Sequence, residues 1–312
     1  MTAASFVPQG PFSLAASIRF LEGFTPASYD HADDDVLRLA FPADDNHHVI
    51  GCALRQKQAA AGGTGPVTAD LTLHPGDGGP IDPGEAEWAA ARAQVARILS
   101  LDVDGSGFPA LGAHDPVVAS LQAEFPGLRP VCFHSPYEAA AWAIIGNRIR
   151  RSQAAAVKAR IARDHGRPVL VAGQTLHAFP VPDDLRRLDD IPGLTDVKVE
   201  RLHALAEATL DGHLDAASLR ARSADDALKA LQELPGIGPF SAELILIRGA
   251  GHPDVFPACE PRVHRATATE YGLDAATADD PGRLAALAET WRPYRSWIAL
   301  LLRARMQDRA YR

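Results

Sequence analysis

Residues 234–249 read LPGIGPFSAELILIRG, a tight turn with two glycines that runs directly into an apolar helix. A turn with so few side chains lets backbone N–H groups approach a ligand closely, and the amino end of a helix favours an anion. A carboxylate, Glu260, follows Gly238 by 22 residues. The stretch therefore predicts a phosphate-binding turn near an acidic residue, although an ordinary corner between two helices also uses Gly and Pro.

The length and composition limit the classes of protein to which this chain can belong. The chain has 312 residues, of which 46% are hydrophobic, so it can bury a core in one large domain or in two to three smaller ones. No apolar run reaches the ~18 residues of a membrane span, and the start MTAASFVPQGPF lacks the layout of a secretory signal. Three distant cysteines without a CxxC pair argue against disulfides, zinc and iron–sulfur clusters. We expect a cytoplasmic protein that requires no cofactor.

Charge is distributed unevenly along the chain. The net charge is −8, yet residues 1–115 alone carry a balance of −9. The stretch 147–163 carries six basic residues and no acid, and 283–312 carries seven arginines against two acids. Local basic patches set the attraction to phosphate, so the chain after residue 115 is the candidate for nucleic-acid contact. Each run taken alone is equally compatible with a solvated helix face.

The amino-terminal part predicts an antiparallel sheet. Several segments alternate apolar and polar residues, as half-buried strands do; they are SLAASIRFL (13–21), VLRLAF (36–41), HHVIGCALRQ (47–56) and VTADLTLH (67–74). Turn-forming stretches separate them, namely PADDN (42–46), AAGGTG (60–65) and PGDGGP (75–80). The last of these, followed by IDPGE, predicts a linker, so residues 1–82 form the first predicted domain.

The remaining chain, 83–312, is predicted to be all helical. Ser135 with Glu138 three residues later forms a capping box at one helix start. The predicted helices span 85–101, 135–149, 152–166, 225–234, 241–251, 261–272, 281–291 and 295–309. The fold class is therefore α+β, with a sheet domain followed by a helical domain that carries the hairpin at 231–241.

Four ordered segments resemble a known family. LQELPGIGPFSAELILIRGAGHPDVFPACEPRVHRA (231–266) resembles the hairpin, Gly/Pro-rich loop and catalytic aspartate of the helix–hairpin–helix (HhH-GPD) DNA glycosylases. The others are PGLRPVCFHSPYEAAAWAIIGNRI (126–149), FPVPDDLRRLDDIPGL with VKVERLHALA (179–206), and WRPYRSWIALLL (291–302). Together with the sheet, they are similar to the bacterial 3-methyladenine DNA glycosylase II type (AlkA-like). The resemblance covers essentially the whole chain.

The resemblance implies that Glu260 stands where the family has its catalytic aspartate. A carboxylate there stabilises the positive sugar or activates water when a flipped base is cut from DNA. Pro261 favours the first helical position, which predicts Glu260 at a helix N-cap. Glu is one methylene longer than Asp and is a poor N-cap, so a solvated acid at a helix start is the alternative.

Other family positions also differ in this sequence. Phe240 replaces the hairpin lysine of members that cleave the strand, so no Schiff base forms and base release alone is expected. The step that probes the gap left by the flipped base aligns with Asn147–Arg148. Arg303 stands where the alkylation branch often has a pocket tryptophan, and its charge would repel a cationic methylated purine. Trp142 and Leu244 complete the predicted base pocket with Phe240 and Arg303, although Trp142 is as compatible with a core position.

The predicted DNA contacts, besides Asn147 and Arg148, are Pro235, Gly236, Ile237, Gly238, Ser241 and His264. The resemblance further implies that the backbone carbonyls of Gln232, Leu234 and Ile237 hold a monovalent cation, Na⁺ or K⁺. The expected partner is double-stranded DNA with damaged bases. The protein is expected to be a monomer that associates with the nucleoid and does not bind a membrane. The sequence thus predicts a monofunctional DNA glycosylase of base excision repair that acts on alkylated purines. A lesion-binding protein that has lost catalysis, and a hairpin DNA-binding module without lesion preference, are the alternatives.

Overall fold

The computed structural model describes residues 1–22, 35–57, 64–76 and 82–310. Near the amino end, four antiparallel strands form one sheet in the order β1-β4-β3-β2. The strands are β1 (Thr2–Phe6), β2 (Leu37–Pro42), β3 (His48–Gln56) and β4 (Val67–Pro75). The strands predicted at 36–41, 47–56 and 67–74 are therefore confirmed. The first strand, β1, lies before the region in which the sequence predicts strands.

The strand predicted at 13–21 is wrong, because this segment forms helix α1 (Leu14–Glu22). Leu14, Ile18 and Leu21 are buried together and are spaced four and three residues apart, as on one face of a helix. The hydroxyl of Ser13 accepts a hydrogen bond from the N–H of Ala16 at 3.1 Å, which satisfies a free amide of the first turn. The apolar period of three to four therefore outweighs the short run of alternation.

A second correction concerns the helical part, which also contains the β-hairpin β5 (Pro168–Val171) and β6 (Gln174–His177). Its two-residue loop, Ala172–Gly173, has positive φ at both positions (45° and 83°), as hairpin turns require. Val169 and Val171 of the hairpin share a small core with residues of the amino-terminal sheet. The later chain therefore covers one face of the sheet.

The boundary at residue 82 stays a prediction. The predicted linker at 75–80 and the turn at 60–65 lie largely outside the described residues. Helix α2 (Glu85–Ile98) follows the boundary and packs in one core with the sheet and α1. The sheet therefore shares its cores with segments on both sides of residue 82.

Helices dominate the rest of the described chain, and α5 packs against α6, α8 and α11. The later helices are α3 (Phe108–Gly112), α4 (Pro116–Glu124), α5 (Pro136–Gly146), α6 (Arg151–His165), α7 (Pro182–Leu185), α8 (Asp196–Leu210), α9 (Ala216–Ala221), α10 (Ala224–Gln232), α11 (Pro239–Leu244), α12 (Pro261–Tyr271), α13 (Ala275–Ala278), α14 (Pro281–Ala288) and α15 (Arg295–Ala310). Ser135 caps α5 as predicted, because its hydroxyl accepts the N–H of Glu138 at 3.1 Å.

Two helical cores meet where the hairpin leads into α12. One core contains α5 with α8, α10 and α11, and the other joins α12 to α15. The chain passes from the first core to the second through a π-helical turn (Ile245–Gly249) and the loop before α12. No helix within the described ranges is long and apolar enough to cross a bilayer.

Candidate active site

The turn between α10 and α11 is held from inside and open on its outer side. The side chain of Ile237 is buried, and its N–H donates to the carbonyl of Leu234 at 3.1 Å. Gly236 has φ 88°, and a Cβ there would lie 2.6 Å from Cδ of Arg201 on α8. At Gly238, by contrast, a Cβ would meet nothing within 4 Å. A ligand can therefore approach the backbone closely at Gly238.

The polar groups of this turn have few partners within the protein. The described chain contains no acceptor for the N–H groups of Gly236 and Gly238. It also contains no donor to the carbonyls of Gln232 and Ile237, whereas the carbonyl of Leu234 accepts from Ile237. Two of the three carbonyls predicted to bind a cation are thus available, and neutral oxygen donors suit a hard monovalent ion.

Glu260 is the N-cap of α12, as the sequence predicts. Its Oε1 accepts the N–H of Arg262 at 3.2 Å, so the longer side chain folds back onto its own helix. The guanidinium of Arg262 holds both carboxylate oxygens, with Nε 2.7 Å from Oε1 and Nη2 2.9 Å from Oε2. Arg303 on α15 adds a fourth contact, from Nη1 to Oε2 at 3.0 Å. Only 8% of Glu260 is exposed.

These contacts fix the charge of the carboxylate. Burial alone would raise the pKa of Glu260, but the hydrogen bond from Arg262 and the charges of Arg303 and Arg262 outweigh burial and lower the pKa. Burial and repulsion from Arg262 lower the pKa of Arg303 to about 10. At neutral pH, the site therefore contains an ionised carboxylate between two guanidinium groups.

An open cleft of about 420 Å³ lies beside Glu260. Its wall brings together most of the residues that the sequence predicts for the site, namely Trp142, Asn147, Gly236, Gly238, Phe240, Ser241, Leu244, Glu260 and Arg303. The ring of Phe240 is 42% exposed, whereas Trp142 is 9% exposed and contributes mainly to the core. The hairpin, the end of α5, the start of α12 and the middle of α15 thus meet at one concave surface.

Six predicted residues lie outside the cleft wall, namely Arg148, Gln232, Leu234, Pro235, Ile237 and His264. Arg148 is exposed and has φ 56°, a left-handed conformation that is unusual for a side chain of its size. Its neighbour Asn147 is held by Lys198, whose Nζ donates to the carbonyls of Ile145 and Asn147 at 2.8 Å each. The ring of His264 instead bonds to the carbonyl of Pro257 and stacks on Phe256.

Four charged residues of the site are not predicted from the sequence. Arg151, Arg248 and Arg262 line the cleft with Arg303. Glu243 lies in an adjoining recess of about 90 Å³, where its carboxylate accepts the N–H of Cys259. Burial raises the pKa of Glu243, and the bonds from Cys259 oppose this rise. Glu243 and Arg248 interrupt an otherwise apolar helix, and this interruption is a signal that could have identified them.

No protein-family model matches the chain. The "Probable bifunctional transcriptional activator/DNA repair enzyme AlkA" of Mycobacterium tuberculosis is 33% identical over 214 residues, which cover 66% of this chain and 41% of that protein. DNA-3-methyladenine glycosylase 2 of Escherichia coli is 28% identical over 240 residues, covering 75% of this chain and 77% of the relative. The chain therefore spans about two-fifths of the Mycobacterium relative and about three-quarters of the Escherichia one.

Among solved structures, the fold matches the 3-methyladenine DNA-glycosylase of Archaeoglobus fulgidus. The TM-score is 0.74 at 20% identity, and the match covers 100% of this chain and 99% of that one. The α+β fold predicted from the sequence is thus confirmed, with the sheet and the helices in the same arrangement.

Proposed function

Because the chain is an AlkA-like member of the helix–hairpin–helix glycosylase superfamily, we propose that it is a monofunctional DNA glycosylase of base excision repair. It binds double-stranded DNA, flips a damaged base into the cleft and hydrolyses the N-glycosidic bond. The names of the Escherichia relative and of the Archaeoglobus glycosylase point to alkylated purines as the substrate class. The observation that carries the proposal is the ionised, buried carboxylate of Glu260 at the wall of a cleft beside the hairpin.

The DNA backbone binds first in this scheme. The open side of Gly238 accepts a phosphate near the turn, and such contacts set the register without reading sequence. Asn147 and Arg148 enter the gap that the flipped base leaves, on a turn that Lys198 holds in place. The backbone carbonyls of Gln232, Leu234 and Ile237 would hold the predicted Na⁺ or K⁺, which would add positive charge to the same turn.

The base then lies in the cleft against the exposed ring of Phe240. As the bond breaks, positive charge develops on the sugar, and the carboxylate of Glu260 stabilises that charge or orients the attacking water. Phe240 stands where members that cleave the strand carry a lysine, so an abasic site is the product.

Base release from duplex DNA carrying alkylated purines tests the proposal. We expect Glu260→Gln to lower the rate by about 100- to 1,000-fold, since it removes the charge and keeps the shape. Glu260→Asp keeps the charge and should release base at or above the wild-type rate. Binding to abasic duplex and a melting curve show that each variant is folded.

Two outcomes contradict catalysis by Glu260. Equal rates in wild type and Glu260→Gln remove this residue from the chemistry. No release by wild type or by either variant, with preferential binding to flipped or abasic duplex, supports a lesion-binding protein instead.

A further inference from the structure

We propose that the cleft prefers damaged bases without positive charge, and that Arg303 stabilises the negative charge that develops on such a base as it leaves. This inference rests on the proposed function and narrows the class of base within it. Uncharged alkylated purines, such as a cyclic etheno adduct of adenine, belong to the favoured class. Purines methylated at N7 of guanine or N3 of adenine, which carry positive charge, belong to the disfavoured class.

The first argument is the charge of the cleft wall. Four arginines line it, at positions 151, 248, 262 and 303, against the single carboxylate of Glu260 among the described wall residues. Two of these arginines already contact that carboxylate. Salt screens charges in a partly buried cleft less than on an open surface. A cationic base that enters the cleft therefore meets net repulsion.

The aromatic groups of the wall compensate little for this repulsion, because Phe240 is the one exposed ring among the described wall residues. A cationic base gains most when it lies over the open face of an aromatic ring. The guanidinium of Arg248 lies 5.2 Å from the ring centroid of Phe20, so that ring already faces a cation. Trp142 is mostly buried, and Phe240 is left as the exposed ring of the wall. Arg303 instead presents N–H donors, which suit the acceptor atoms of a neutral base.

The second argument is the balance of charge during bond cleavage. When the bond from C1′ to the base nitrogen breaks, its electron pair goes to the base. A cationic base then leaves as a neutral molecule, whereas a neutral base leaves as an anion. Water supplies hydroxide to C1′. Its remaining proton neutralises the anion of a base that was neutral, and it is released to solvent when a cationic base has left as a neutral molecule. Negative charge on the leaving group therefore develops only with a neutral base.

The site contains one group for the positive charge on the sugar and one for the negative charge on the departing base. Glu260 is the negative group for the positive sugar, and Arg303, 3.0 Å from it, is a positive group for the departing base. Arg303 lines both the cleft and the adjoining recess. An uncharged pocket residue at this position would serve a cationic base better. We therefore assign Arg303 as a specificity-determining residue.

The test uses two duplexes of one sequence, with either 7-methylguanine or 1,N6-ethenoadenine at the same position. Single-turnover release is divided by the spontaneous rate of each lesion, since cationic bases leave readily without an enzyme. We expect wild-type acceleration to be at least about tenfold larger for the neutral lesion. Arg303→Gln should lower acceleration of the neutral lesion by about 100-fold, leave or raise that of the cationic lesion, and be rescued in part by Arg303→Lys.

Arg262→Gln is the matched control, because it also removes one positive charge that contacts Glu260. Arg262→Gln should change the ratio of the accelerations measured for the two lesions far less than Arg303→Gln does. The inference is overturned if the cationic lesion is accelerated as much as the neutral one, or if Arg303→Gln lowers both by the same factor. Release of neither lesion by the wild type would instead refute the proposed function, and abasic-duplex binding excludes misfolding.

Discussion

Two glutamates in this molecule are each held by two basic side chains, and each lies at the wall of a cavity. Glu138, near the start of α5, accepts from Nδ1 of His134 and Nζ of Lys158 at 2.9 Å each and is 2% exposed. Lys158 lies on α6, so this cluster joins two helices within the protein. Glu260, at the start of α12, is also paired with two basic side chains, and it lies in the wall of the cleft beside the hairpin.

The comparison shows that a glutamate paired with two basic side chains is not catalytic on that ground alone. Burial alone would raise the pKa of Glu138, but Lys158 and His134 outweigh burial and lower its pKa to about 2. The same balance of causes lowers the pKa of Glu260. A depressed carboxyl pKa therefore does not identify a catalytic group. A neighbouring cavity does not identify one either, because Glu138 lines a cavity of about 270 Å³ together with His134 and Lys158. The hairpin distinguishes the two sites, because its Gly236 and Gly238 line the cleft of Glu260.

The largest effect on stability is expected at Glu138. Glu138→Gln leaves the partly buried Lys158 and His134 without their carboxylate, which should lower the free energy of unfolding at pH 7 by about 3 kcal/mol. Denaturant unfolding measures this loss. The exposed Glu207→Gln is the control and should change stability by less than about 0.5 kcal/mol.

The pH dependence of this effect has a definite sign. The pKa of Glu138 is depressed in the folded protein, to about 2 from an ordinary 4.5. Its contribution to stability is therefore present above pH 4.5 and is lost as the pH falls towards 2. The difference between wild type and Glu138→Gln should shrink across that window. A difference that stays constant from pH 7 to pH 2.5 would show that the carboxylate is not the cause.

The two hairpin glycines should show an effect on stability of intermediate size. Gly236 lies against Arg201, whereas Gly238 faces open space. Gly236→Ala forces a side chain into φ 88° beside Arg201 and should cost about 1–2 kcal/mol of stability. Gly238→Ala adds a methyl group in open space at φ −96° and should leave stability within about 0.5 kcal/mol. It should weaken binding to abasic duplex about tenfold, by keeping a phosphate from the backbone.

Thermal melting and fluorescence anisotropy with labelled abasic duplex measure the two quantities. Equal loss of stability in both variants would contradict the open side of Gly238. Unchanged binding in a folded Gly238→Ala protein would exclude this position as the phosphate contact.

These contrasts show what the sequence can reveal. Pro261 predicts the N-cap position of Glu260, and Ser135 with Glu138 predicts the start of α5, because caps depend on neighbouring residues. The capping box, however, does not reveal that the carboxylate of Glu138 pairs with Lys158, 20 residues away. Local chemistry predicts where an element begins, but it does not predict which distant group meets it.

The wrong prediction at 13–21 and the contacts that the sequence does not predict have the same physical origin. Segment 13–21 alternates enough to resemble a strand, but a helix buries its apolar residues against the sheet. Arg303 was predicted as a pocket residue from the family resemblance, while its contact with Glu260, 43 residues away, depends on how α12 packs on α15. Glu243 reaches the loop before α12 in the same way, through tertiary packing that no local pattern encodes.

The smallest effect on stability is expected at Arg262, where the comparison between the two glutamates is sharpest. The side chain of Arg262 is 36% exposed, so Arg262→Gln should cost under about 1 kcal/mol. The activity should respond more clearly. The hydrogen bond from Arg262 is the largest influence that lowers the pKa of Glu260, so its loss raises that pKa. At acidic pH, less of the carboxylate is then ionised, and the pH at which base release falls to half its maximum moves upward.

The measurement is the rate of release of a neutral lesion as a function of pH. Arg265→Gln is the control, since it removes an exposed charge from the same helix without contacting Glu260. Identical pH profiles for both variants would mean that bulk charge, and not the bond to Glu260, sets the acid limb. An upward shift confined to Arg262→Gln would establish that Arg262 keeps the carboxylate ionised, the role that Lys158 and His134 serve for the buried Glu138.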